Sequence, residues 1–321
     1  MAVSPTTGQP EYIHDNTTER SANGSSDHNK TENLCLGQWM WILTMLTALV
    51  GLMGNSIVLW LLGFCIKRNP FSIYILNLAG ADSLFLCCSF LISILEFVRY
   101  LCDSFMQKLL LYVTYAFYTV SVSLLAAIST ERCLSVLFPF WYRCHRPKCT
   151  SAAVCTVLWT LGCLLEVVGI VICYFSSTGL KENMCLEFFI TELVWFIILT
   201  CVLCVSSLIL LLRVQCSSQR RQPPRLYLLI LLTVLMFLLC GLPMEIGEFM
   251  SRFNIDVMTQ WLRQLLACVN SSANPFIYFF MGKHMHKKKQ QLRVALQRAL
   301  EDEQDLESET RDSAHTNKLS F

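Results

Sequence analysis

The chain has 321 residues, of which 54% are hydrophobic and 15% charged, and its formal net charge is +2. So little charge beside so much apolar surface excludes a water-soluble domain, where roughly one quarter of the residues are charged, and the small net charge gives nucleic acid no footing. Most of the seventeen cysteines lie inside apolar runs, as Cys87, Cys88, Cys201, Cys204 and Cys240 do, and are read there as small apolar residues rather than zinc ligands.

Residues 1–34 are polar and lack the apolar core of a cleavable signal peptide, so the first span is expected to serve as an uncleaved signal. The segment 1–36 reads as a flexible tail carrying three glycosylation sequons, at Asn16, Asn23 and Asn29. Crossing a bilayer takes about 20 residues of helix, and seven apolar stretches qualify: 38–64, 71–97, 106–138, 150–174, 188–214, 225–250 and 259–281. The predicted fold is an all-α membrane protein, a seven-helix bundle over 37–282.

An odd number of spans puts the two ends of the chain on opposite sides. Fourteen lysines and arginines, among them Lys67, Arg146, Arg220 and Lys287, fall on one side and seven on the other, so the positive-inside rule places the N-terminus outside and the C-terminus in the cytoplasm of a multi-pass plasma-membrane protein. Past Gly282, Leu292, Leu296 and Ala299 recur at helical spacing behind Lys287, Lys288 and Lys289. This predicts a short amphipathic eighth helix over 283–300, lying against anionic membrane lipid; an ordinary solvated basic tail is the other reading. No cysteine follows Cys268 to carry a palmitoyl anchor there, and the acidic, Ser-rich remainder, 301–321, reads as disordered.

Ionisable residues at membrane depth cost about 2.5–3.5 kcal/mol on insertion scales, so each calls for an account. Asp82 stands mid-way along the second span. Asn55, Ser121, Asn270, Ser271 and Asn274 lie at comparable depth and can join it in one polar cluster able to hold a sodium ion, since oxygen ligands suit a hard cation; a purely structural polar knot is the alternative. At one end of the third span, Glu131 and Arg132 are adjacent, an acid and a base that can pair in one state and part in another. Pro243 and Pro275 each remove a backbone hydrogen bond and bend the sixth and seventh spans. Toward the other end stand Glu96, Glu166, Glu192, Glu245 and Glu248. Five carboxylates around a common mouth would draw in a cationic ligand, with Tyr112, Tyr115 and Trp261 as aromatic walls; pairing with Arg99, Arg252 and Arg263 at the rim is the competing reading.

These landmarks, in this order, resemble the rhodopsin-like receptors: Gly54-Asn55, Leu78 through Asp82, Glu131-Arg132, Trp159, Pro243 and Asn274-Pro275-Phe276-Ile277-Tyr278. Departures from that class point further. Gln107 stands 25 residues before Arg132 where a disulfide cysteine is usual, Gly241 stands in place of the sixth-span tryptophan, and Cys133 follows Arg132. With Trp141 through Pro147 and Asn270 through Pro275, they make the chain similar to the Mas-related receptors. The resemblance implies coupling to a heterotrimeric G protein, Gq first and Gi second. It also implies that Arg132 contacts that partner while Tyr278 turns inward to support the active state, and that Cys173 and Cys185 form a disulfide. The partners of Cys35 and Cys102 stay open. With no tryptophan at Gly241, the ligand site is expected to be wide and shallow, for a basic peptide or cationic small molecule.

Other seven-helix functions fare worse. A transporter or channel would show a continuous polar path or an internal repeat, and neither is visible. A retinal protein needs a lysine in the last span, and 259–281 has none. An intramembrane enzyme would need a second acid at the level of Asp82, and no catalytic set or metal-ligand set is found.

Overall fold

A computed structural model describes residues 23–65, 69–98, 104–147, 149–175, 181–216, 231–253, 255 and 257–283. Their regular structure is entirely helical. The chain divides into two compact units, residues 1–39 and residues 40–321, and the bundle discussed here is the second.

Among the described residues, six helices are long and apolar enough to cross a membrane: Leu36–Cys65, Pro70–Val98, Phe105–Leu137, Thr150–Cys173, Asn183–Arg213 and Leu231–Ser251. The seventh, Gln260–Lys283, has the length but not the composition that the sequence reading assigned to it. Arg263, Gln264, Asn270, Ser271, Ser272 and Asn274 make it polar, and all six are buried. A helix that turns its polar groups inward can tolerate lipid outside, because the costly groups meet protein.

Other boundaries also differ from expectation. The first helix begins at Asn23, inside the segment read as a flexible tail, because extending an existing helix costs far less than nucleating one. The fifth begins at Lys181 rather than residue 188, where Lys181, Glu182, Met184 and Leu186 all favour helix. A short helix, Pro139–Cys144, follows the third span. The predicted eighth helix beyond Lys283, residues 225–230 of the sixth span, Asn16 and Cys102 lie outside the described residues.

The third span is the axis of the bundle, in contact with the second, fourth and fifth. Phe85, Leu86, Tyr118, Val120, Val122, Leu124 and Leu203 are buried around it. Lateral hydrogen bonds fix neighbours where burial alone is non-directional: Trp159 Nε1 donates to Asn77 Oδ1 at 3.1 Å, and Ser129 Oγ meets Ser206 and Ser207 Oγ at 2.7 and 2.9 Å. The second span starts cleanly because Ser72 N–H donates to Asn69 Oδ1 at 2.6 Å while Asn69 N–H donates to Ser72 Oγ at 2.8 Å, a reciprocal cap ahead of Pro70. Outward-facing Met53, Leu164, Val205 and Leu239 remain more than half exposed, which is the surface a hydrocarbon solvent covers.

The sixth span is wound as a π-turn over Phe237–Gly241, directly before Pro243. The wider turn makes room for the proline ring beside the preceding turn's carbonyl, which proline cannot serve as a donor. Gly241 allows a close approach here: a Cβ on it would lie 2.7 Å from Phe237 Cδ2 and 3.0 Å from the Tyr118 hydroxyl. Tyr118 donates to Gly241 O at 2.6 Å. Pro275 lies inside the seventh helix, where Gly54 makes room for its ring at 3.1 Å from a would-be Cβ.

Candidate functional site

A disulfide joins Cys173 to Cys185, with Cα atoms 5.1 Å apart. It marks one end of the bundle. Near that end, the third, fourth, fifth and sixth spans form a small cavity of about 60 Å³ lined by Glu166, Glu192, Glu245 and Glu248. Tyr112, Tyr115, Phe189, Trp195, Phe196 and Phe249 form its aromatic wall. Helical spacing explains part of this convergence, since Glu245 and Glu248 are three residues apart and share a face. The rest comes from packing, which turns Glu166 of the fourth span toward Glu192 and Glu245. Glu166 is buried and close enough to Glu192 for a hydrogen bond between the two carboxyl groups, and a cation entering among these acids favours their charged forms.

Two of the five glutamates depart from a simple acidic mouth. Glu96 is not part of the cavity wall; it accepts a hydrogen bond from Gln107 Nε2, so the residue at the usual disulfide position ties the third span to the second by a polar contact. Glu248 is paired with Arg263 at 3.3 Å, as the rim-pairing reading expects. Arg263 also donates to Gly247 O at 3.2 Å and Met258 O at 2.8 Å. Trp261 stands apart from the acidic cavity, in an adjoining larger one that shares Tyr112, Tyr115 and Glu248 with it and is lined also by Lys108, Arg263 and the disulfide. Arg99 lies outside the described residues, as does the side chain of Arg252.

Deeper in the bundle, Asp82 is fully buried. Its Oδ1 accepts from Ser121 Oγ at 2.7 Å and its Oδ2 from Asn274 Nδ2 at 2.8 Å. Ser271 also approaches this carboxylate, but its Oγ makes no hydrogen bond of good geometry among the described residues, and neither does Asn270 Nδ2. Asn55 turns instead to backbone, donating to Gly51 O at 3.0 Å and Ser271 O at 3.2 Å. The expected cluster therefore assembles with Asp82, Ser121 and Asn274 as its bonded centre.

At the opposite end, Glu131 accepts from Tyr74 at 2.9 Å and from Arg146 at 3.2 Å. Its neighbour Arg132 holds its guanidinium carbon 3.4 Å from the Phe71 ring centroid, a cation–π contact worth about 2 kcal/mol when desolvated. Burial by itself would lower the pKa of Arg146, but the hydrogen bond and charge of Glu131, with Tyr142 and Tyr74, hold it above the ordinary arginine value. Tyr278 is buried in a small space between Leu125, Ile128, Ser129, Leu203, Thr233 and Val234. The sequence reading placed Arg146 in a cytoplasmic loop but did not pair it with Glu131, since a loop arginine gives no signal of the acid it will meet. It also missed Tyr118, though the absent bulk at Gly241 was a clue that something would fill the space.

Comparison with known proteins agrees with this architecture. The family model for the 7 transmembrane receptor (rhodopsin family) matches residues 54–278. The chain is 46% identical over 272 residues to Mas-related G-protein coupled receptor member X2 of Pongo pygmaeus, covering 81% of this chain and 82% of that relative. It is 44% identical over 280 residues to member X1 of Homo sapiens, covering 84% and 86%, and 44% identical over 274 residues to member A of Rattus norvegicus, covering 81% and 88%.

Proposed function

The chain belongs to the Mas-related receptors of the rhodopsin-like class, and from that premise we propose that it binds an extracellular cation, a basic peptide or an amine, and activates Gq, with Gi second. A receptor of this family is a multi-pass membrane protein, not an enzyme, and works with a heterotrimeric G protein. The disulfide end faces outward in this reading, with the sequons at Asn16, Asn23 and Asn29 on the same side, and the Arg132 end faces the cytoplasm.

One observation carries the ligand class: Glu166, Glu192, Glu245 and Glu248 line a single aromatic-walled cavity. A ligand cation would sit among the first three, since Glu248 is countered by Arg263. Aromatic faces add to its binding. Binding drives signalling only by favouring the state whose inner end admits the G protein, and the π-turned sixth span beside Tyr118 is the element best placed to differ between the two states. The test is expression in cells with calcium and cAMP readouts, challenged with basic peptides and amines. Glu166→Gln, Glu192→Gln and Glu245→Gln together should abolish responses while surface expression holds; an undiminished response in the triple variant refutes the cation site.

The proposal extends to a sodium ion in the polar core. Asp82, Ser121 and Ser271 supply oxygen donors, and the buried Ser271 Oγ, which approaches the Asp82 carboxylate without a hydrogen bond of good geometry, supports the fit. Such an ion would add charge beside Asp82 and favour one bundle state over another. Replacing potassium by sodium should then shift agonist affinity in the wild type and not in Asp82→Asn.

A further inference from the structure

The acidic cavity, at about 60 Å³, has room for a few water-sized groups. That is enough for the charged tip of a ligand and not for its body. Beside it lies a cavity of about 880 Å³, a size that takes a drug-sized molecule. The two share Tyr112, Tyr115 and Glu248, so a ligand with its tip in one has its remainder in the other.

Their charges are opposite. The charged side chains lining the acidic cavity are all glutamates, whereas those lining the larger one are Lys108, Arg263 and a single acid, Glu248. Arg263 is held in place: its side chain is 9% exposed and donates to Gly247 O, Met258 O and Glu248 Oε2. It fixes a positive charge in the wall, which Glu248 offsets. Lys108 is exposed on the third span, and an ammonium on a flexible stem can follow the charged end of a ligand.

The third span sets the spacing. Lys108, Tyr112, Tyr115 and Thr119 recur at helical intervals along one face. Lys108 lines only the larger cavity, the two tyrosines line both, and Thr119 lines only the acidic one. From Lys108 to Thr119 the helix rises about 16 Å at 1.5 Å per residue. An extended peptide covers that distance in about four or five residues, and in fewer when long side chains reach in from both ends.

We propose that the larger cavity is an anion subsite: Lys108 binds the carboxylate of a dipolar ligand whose cationic tip lies among Glu166, Glu192 and Glu245. The ligand class is a short peptide, basic at its inner end and with a free C-terminal acid at its outer end. Trp261 and Met258 give the residues between an apolar wall. The subsite rests on the cation site proposed above. A carboxylate meeting Lys108 makes a charge-assisted hydrogen bond, which an amide in its place cannot match.

The experiment uses the full chain in lipid nanodiscs and measures binding by calorimetry. The probes are an N-acetylated tetrapeptide of arginine, phenylalanine, glycine and phenylalanine, made as the C-terminal acid and as the amide, and phenethylamine, a cation without an acid. The acid should bind wild type about tenfold more tightly than the amide, the worth of one charged hydrogen bond. Lys108→Gln should abolish that ratio and Lys108→Arg should keep it; the position is exposed, so neither change disturbs the packed core. Equal affinities of acid and amide for wild type overturn the proposal, as does a ratio that survives Lys108→Gln. If phenethylamine binds and neither peptide does, the anion subsite falls and the cation site stands. If the ratio depends on Lys108 while Glu166→Gln, Glu192→Gln and Glu245→Gln together weaken no probe, the cation site falls and the anion subsite stands. If none of the three probes binds, both fall.

Discussion

The hydroxyl of Tyr118 donates to the carbonyl of Gly241 at 2.6 Å, joining the third span to the sixth directly beneath the acidic cavity. Both residues are fully enclosed, and Phe237 closes the space between them. A side chain at position 241 would have to displace Phe237 or Tyr118. Gly241→Ala should therefore lower stability by about 1–3 kcal/mol, the usual cost of overpacking. Tyr118→Phe should cost about 1 kcal/mol for the lost bond. Thermal unfolding of the purified receptor checks both, and because the residues touch, the double variant should be non-additive.

The pair formed by Arg263 and Glu248 is asymmetric. Arg263 serves two backbone carbonyls as well as Glu248, whereas the Glu248 side chain keeps 25% of its surface exposed. Removing the cation orphans more groups than removing the acid. Arg263→Met should destabilise by about 2–4 kcal/mol and Glu248→Gln by about 1 kcal/mol. Equal unfolding midpoints for the two variants would contradict this account.

Asp82 can be varied to separate structure from charge. Asn keeps one acceptor for Asn274, and the Ser121 hydroxyl can rotate to accept, so Asp82→Asn should fold with little loss. Asp82→Leu leaves Ser121 Oγ and Asn274 Nδ2 buried without their acceptor, at about 1–3 kcal/mol each. The expected order of surface expression is wild type, Asn, then Leu. Sodium sensitivity of agonist binding should vanish in both variants.

The disulfide between Cys173 and Cys185 lines the larger cavity beside the acidic one. Cys173→Ser, Cys185→Ser and the double variant remove the same bond, so all three should lose about 2–4 kcal/mol. Agreement among them is the check. A single variant much worse than the double would point to harm from the leftover thiol.

Much of this molecule was legible in its residues, because the relevant physics is local. A run of apolar residues of bilayer length is a span whatever its neighbours do, and the order of Asn55, Asp82, Arg132 and Pro275 identified the class. Even the convergence of Glu245 and Glu248 follows from one helix's own pitch. Three departures show where local reasoning stops. The seventh helix, Gln260–Lys283, is too polar to stand as a span on composition; only its packing shows its polar groups turned inward. Glu96 belongs with Gln107 rather than with the other acids. Glu131 takes Arg146, 15 residues away, while its sequence neighbour Arg132 lies over Phe71. Spacing along a chain sets which side chains share a helix face, but the rotation and crossing of helices decide which faces meet. Those angles are set by many packing contacts at once, and no single stretch of sequence contains them.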